Sequence, residues 1–85
     1  MDKTKRKEAE NVRYDFSKLR GRIVEVFGKQ ESFAKAMGLS ERSLSLKLKS
    51  ERYFKPPEIS KAIKLLGLDA INIPEYFFTL KVQEN

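Results

Sequence analysis

The 85-residue chain has no cysteine and no histidine. Without cysteine, neither a disulfide nor a thiolate metal site can form. Without histidine, a metal would have to be held by carboxylates alone, and none cluster suggestively, so no metal and no cofactor is expected. The same absences remove two common catalytic nucleophiles and bases. No glycine-rich phosphate loop or carboxylate pair at plausible spacing replaces them, and an enzyme is not expected. No run approaches the ~18 apolar residues of a membrane span, and the start, MDKTKRKEAENVR, lacks the apolar stretch of a signal peptide. A cytoplasmic setting is expected.

What is present is enough for one modest domain. Apolar residues make up 40% of the chain, and cores fail only below roughly 40 residues. Residues 1–13 are charged and aperiodic and read as a flexible arm; residues 14–82 read as the domain and 83–85 as a tail. In DFSKLRGRIVEVFG, the residues Phe16, Leu19, Ile23, Val26 and Phe27 recur at helical spacing and Gly28 closes the segment. Asp15 or Ser17 is suited to cap it. Gly21 inside it costs ~1 kcal/mol relative to alanine, which reads either as close packing or as tolerance. A second helix is expected over Lys29–Met37, burying Phe33, Ala34 and Met37, and a third over Glu41–Lys49. After Pro56 and Pro57 comes a stripe of Ile59, Ala62, Ile63 and Leu66 that stops at Gly67. A short helix is expected at Pro74–Phe78, and the following TLKV has strand propensity but no visible partner in the chain. The fold class is all-α, a compact domain of four to five helices.

Residues 30–49, QESFAKAMGLSERSLSLKLK, carry the functional reading. Ala34 lets a second helix approach closely. Gly38 can adopt the left-handed conformation that ends a helix, Leu39 plugs the corner and Ser40 can cap the next helix. Such a unit presents its second helix as a ridge of a size that fits the DNA major groove. The chain has eighteen Lys and Arg against twelve Asp and Glu, a net charge of +6. Residues 29–55 hold most of that excess, with Lys29, Lys35, Arg42, Lys47, Lys49, Arg52 and Lys55 set against Glu31, Glu41 and Glu51. A polyanion's backbone would lie there.

Through Gln30, Ala34, Gly38, Leu39, Ser40, Leu44 and Leu48 the chain resembles the lambda-repressor-like helix-turn-helix fold. From YDFSKLRGRIVEVFG to PEYFFTLKV it resembles small phage and prophage regulators of the Cro/C1 type. The resemblance implies a sequence-specific, double-stranded-DNA-binding transcriptional regulator that acts by occupying an operator. One position departs from the pattern: Lys47 stands where an apolar residue is usual, and Leu48 is expected to fill that space.

With Leu44 and Leu48 turned inward, Glu41, Arg42, Ser45 and Leu46 are nominated as base readers. The Arg42 fork can bind guanine O6 and N7, or alternatively a phosphate or a carboxylate. Glu41 can accept from cytosine N4, or simply favour the helix N-terminus. Ser45 suits a base edge or a phosphate. Leu46 can touch a thymine methyl, or pack under the next loop against Tyr53 or Phe54. Lys29, Gln30, Ser43, Lys47, Lys49, Arg52 and Lys55 are nominated as phosphate contacts, which add affinity without sequence information.

One reading helix covers too few base pairs to pick a site, so a homodimer is expected. Ile73, Tyr76, Phe77, Phe78, Leu80 and Val82 are nominated as its interface. The alternative is an antirepressor, a protein-binding module that uses this fold to sequester another phage regulatory protein. Glu41 and Leu46 on the reading helix favour it.

Overall fold

A computed structural model describes residues 12–82. Among the described residues five α-helices follow one another: α1 (Ser17–Phe27), α2 (Gln30–Met37), α3 (Glu41–Leu48), α4 (Pro56–Leu65) and α5 (Ile73–Phe77). A single 3-10 turn, Ala70–Asn72, leads into α5. The all-α expectation holds, and no helix among the described residues is long and apolar enough to cross a membrane.

The apolar stripes converge on one core. Leu19 and Ile23 of α1, Phe33, Ala34 and Met37 of α2, and Leu44 and Leu48 of α3 meet Ala62, Leu66 and Phe77. Aromatic edges tie its upper layer: Phe16 meets Phe54 at 5.4 Å and Phe54 meets Phe77 at 5.2 Å between ring centroids. Such edge-to-face pairs add about 0.5–1.5 kcal/mol each beyond the area they bury. Gly21 lies on the open side of α1, where an added Cβ meets nothing within 4 Å. Close packing is therefore not its reason.

The segments on either side of the helical core meet each other at residues 13–15 and 79–81. Asp15 N–H donates to the Thr79 carbonyl (2.7 Å) and Lys81 N–H to the Arg13 carbonyl (3.0 Å), flanking an antiparallel Tyr14–Leu80 bridge. TLKV thus has its partner within the chain, contrary to the sequence-based expectation. Tyr14 N–H donates to Ser50 Oγ at 3.0 Å, which pins the same segment to the end of α3. Arg13, expected in the arm, is tied in by the same bridge; residues 1–11 and 83–85 lie outside the described residues. Asp15 sets the start of α1: its carboxylate accepts from Ser17 N–H (2.9 Å) and Ser17 Oγ–H (2.5 Å). Those bonds hold its carboxyl below the usual value.

Candidate interaction surface on α2 and α3

The corner between α2 and α3 is built as its residue types require. Gly38 is left-handed (φ 76°, ψ 25°), and Leu39 N–H returns to the Ala34 carbonyl at 2.9 Å. Ser40 Oγ accepts Ser43 N–H at 3.0 Å and so opens α3. Leu39 is half-buried against the core. The two short helices are thereby locked, and α3 presents a fixed face.

That face carries most of the nominated base readers. Glu41 and Arg42 are exposed, while Ser45 and Leu46 are half-buried. Among the described residues the Arg42 side chain makes no hydrogen bond or ion pair. Leu46 does not belong to the apolar cluster that packs on the core. Of the nominated phosphate contacts, Lys29, Gln30, Lys49, Arg52 and Lys55 are exposed and Ser43 is half-buried.

Lys47 is a correction. It is 5% exposed, on the inner face of α3 between Leu44 and Leu48. Its ammonium donates to Glu58 Oε1 (2.9 Å) and to the Tyr53 carbonyl (3.2 Å) and lies 5.9 Å from the centre of the Phe54 ring. It therefore occupies the inward position that the motif gives to an apolar residue, its stem packed and its charge neutralised. No phosphate can reach it. Partial burial works against the Glu58 charge. The Lys55 backbone N–H at 2.9 Å and the Lys47 ammonium outweigh that penalty, and the Glu58 carboxyl sits below its ordinary value.

Phe77 is a second correction. It is 2% exposed and fills the core between Phe16 and Phe54, so it is not open to a partner. Ile73 and Tyr76 are half-buried against the same core. Of the nominated dimer residues, Phe78, Leu80 and Val82 remain exposed.

Two further features escape sequence reasoning. A shallow cavity of about 220 Å³ lies between α2 and α3, lined by Glu31, Ala34, Lys35, Leu39 and Glu41. It is apolar at its floor and carries two carboxylates and one ammonium at its rim. Beyond the end of α3, Arg20 of α1 donates to the Leu48 carbonyl (3.1 Å) and Arg13 to the Lys49 carbonyl (3.3 Å). Both arginines serve the unsatisfied carbonyls of a helix C-terminus. They come from distant parts of the chain, so no local spacing announces them.

A family profile described as "Protein of unknown function (DUF739)" matches residues 12–80. The chain belongs to the DUF739 family. Among solved structures it is similar to the solution structure of the modulator of repression (MOR) of the temperate bacteriophage TP901-1 from Lactococcus lactis. The two are 51% identical, with a TM-score of 0.70, over 82% of this chain and 95% of that one. No curated protein matches the chain. The match to the family spans all five helices, so the corner at Gly38 and the face of α3 both fall within it.

Proposed function

We propose that this protein modulates phage repression by binding another regulatory protein, a repressor, through its α2–α3 face. It acts by occupancy, without catalysis. What supports a repression-related role is the 51% identity to a protein described as a phage modulator of repression. What favours a protein partner over an operator is the groove itself. Glu31 and Glu41 stand in the first turns of α2 and α3, beside the apolar Leu39. A DNA reader places phosphate at such helix N-termini, and carboxylates there repel it. The half-buried Leu46 and the withdrawal of Lys47 from the surface add to the same reading.

Operator occupancy is the second reading, and one observation favours it. Arg42 stands exposed in the first turn of α3 with no partner among the described residues, and Lys29, Lys49 and Arg52 are exposed as well. It requires a two-fold pair of reading helices, and the loss of Phe77 to the core leaves a small apolar seam for one.

Fluorescence anisotropy on the phage's promoter DNA separates the two. Under the first reading this protein alone binds DNA weakly and without sequence preference, yet releases the phage's repressor from its operator when added stoichiometrically. Tight, sequence-specific binding by this protein alone, with a steep salt dependence, refutes that reading and establishes the second.

A further inference from the structure

The C-terminal segment offers an open strand edge between two chemically different surfaces. The bonds from Asp15 N–H to Thr79 and from Lys81 N–H to Arg13 turn the backbone groups of Thr79 and Lys81 towards the N-terminal segment. In an antiparallel pair the intervening residue then points its own groups the other way. Leu80 N–H and C=O accordingly have no partner among the described residues. Leu80 itself is 61% exposed and Val82 83% exposed, so nothing described covers this edge. An unpaired edge is a template for another strand.

The two faces of that edge differ. On the side of the Tyr14 ring, which meets Phe78 at 5.7 Å, lies an apolar cleft of about 150 Å³. Tyr14, Phe16, Tyr53, Phe54, Ile59 and Phe78 are among its lining residues. On the side of Lys81 lies a polar cleft of about 410 Å³, with Arg13, Arg20, Lys49 and Lys81 in its wall. Asp15 and Glu51 also line it, so four cationic side chains face two carboxylates. The two arginines are spent on α3 carbonyls. Lys49 and Lys81 make no ion pair among the described residues. A net positive charge therefore faces solvent on this side and aromatic surface on the other.

The geometry points to a docking site for an extended segment of another protein, added as a strand along Leu80 and alternating apolar with acidic side chains. A strand sends successive side chains to opposite faces, so every second residue falls over the aromatic cleft and the others beside Lys81. The main chain supplies hydrogen bonds to Leu80, and the cleft and the lysines select the side chains. This surface is formed by residues 13–16, residues 78–81 and the α3–α4 loop. The inference does not rest on the role proposed for the α2–α3 face.

The test uses the full-length protein, labelled with nitrogen-15, and a capped nine-residue peptide alternating leucine and glutamate. Addition is expected to shift the amides of Leu80, Tyr14, Phe78 and Tyr53 and to slow hydrogen exchange at Leu80. A leucine–lysine peptide is expected to leave them unmoved. Leu80→Pro removes the outward donor without touching either internal bond, and should weaken binding roughly fivefold or more. Lys81→Glu should weaken it roughly threefold or more. If circular dichroism shows Leu80→Pro unfolded, the lysine peptide and Lys81→Glu decide alone. An unmoved Leu80 amide at millimolar peptide overturns the proposal, as does equal binding of the two peptides. So does a dimer in sedimentation whose exchange protection centres on Leu80, which would make a second copy the occupant.

Discussion

The Lys47 ammonium lies 2.9 Å from Glu58 Oε1, joining the inner face of α3 to the first turn of α4 with side chains only 7% and 20% exposed. The α3 face is held in position from behind by this pair. Both Lys47→Ala and Lys47→Met take the ammonium donor from Glu58, which keeps the Lys55 N–H, but only alanine also empties the space of the packed stem. Lys47→Ala should cost about 1–3 kcal/mol, because it opens a gap and leaves Glu58 with one donor fewer. Lys47→Met keeps the stem over Phe54 and should stay within about 1.5 kcal/mol of wild type. Urea denaturation of the two variants checks the order.

Glu58 also makes stability depend on pH. Its carboxyl is held below the ordinary range when folded. The stabilisation is therefore complete above the unfolded value, about 4.3, and is lost as the pH falls through the lower folded value. Denaturation midpoints measured from pH 6 down to pH 2 should fall less steeply for Glu58→Gln than for wild type. Parallel curves would remove Glu58 from the acid response.

Ser50 combines two roles at the end of α3. Its φ is 63°, in the left-handed region, and its hydroxyl accepts the Tyr14 N–H. Ser50→Ala keeps the strain and loses the bond, and should cost about 1–3 kcal/mol. Ser50→Gly loses the same bond but relieves about 1 kcal/mol of backbone strain, so it should fall between Ser50→Ala and wild type. Thermal melts of the three proteins give the ranking.

Two glycine-to-alanine changes should have opposite signs. At Gly21, inside α1 with open space around it, alanine should stabilise by about 0.5–1 kcal/mol through helix propensity. At Gly38, with φ +76°, it should destabilise by about 1–2 kcal/mol. The Lys61 ammonium 4.0 Å from the added Cβ is an ordinary contact, so the backbone alone sets the second value. Chemical denaturation of both variants is sufficient.

Local periodicity made the first four helices legible, because Leu19 and Ile23, or Leu44 and Leu48, repeat at intervals only a helix can gather. The corner at Gly38 and Ser40 was legible for the same local reason. Lys47 departs from its expected place because helical phase outranks residue type. Three residues on from Leu44 it must turn inward, and its partner Glu58 reaches it only through the intervening loop. The place of Phe77 is not legible because the number of apolar residues near the C-terminus does not say which of them the core takes. The pairing of Leu80 with Tyr14 spans most of the chain, and strand propensity names no partner. The mixed charge of the α2–α3 groove likewise appears only when Glu31 and Glu41 are brought to one rim.

The most direct test of the α2–α3 face is calorimetric titration of the phage's repressor into the full-length protein, beside its Glu31→Lys/Glu41→Lys variant. Both carboxylates are exposed in first turns, so the reversal should cost only about 0.3–1 kcal/mol of stability at each position. The account predicts stoichiometric binding by wild type and an affinity at least about tenfold lower for the variant, a loss of about 1.4 kcal/mol. Equal affinities for the two proteins, or no heat of binding from either, would contradict it.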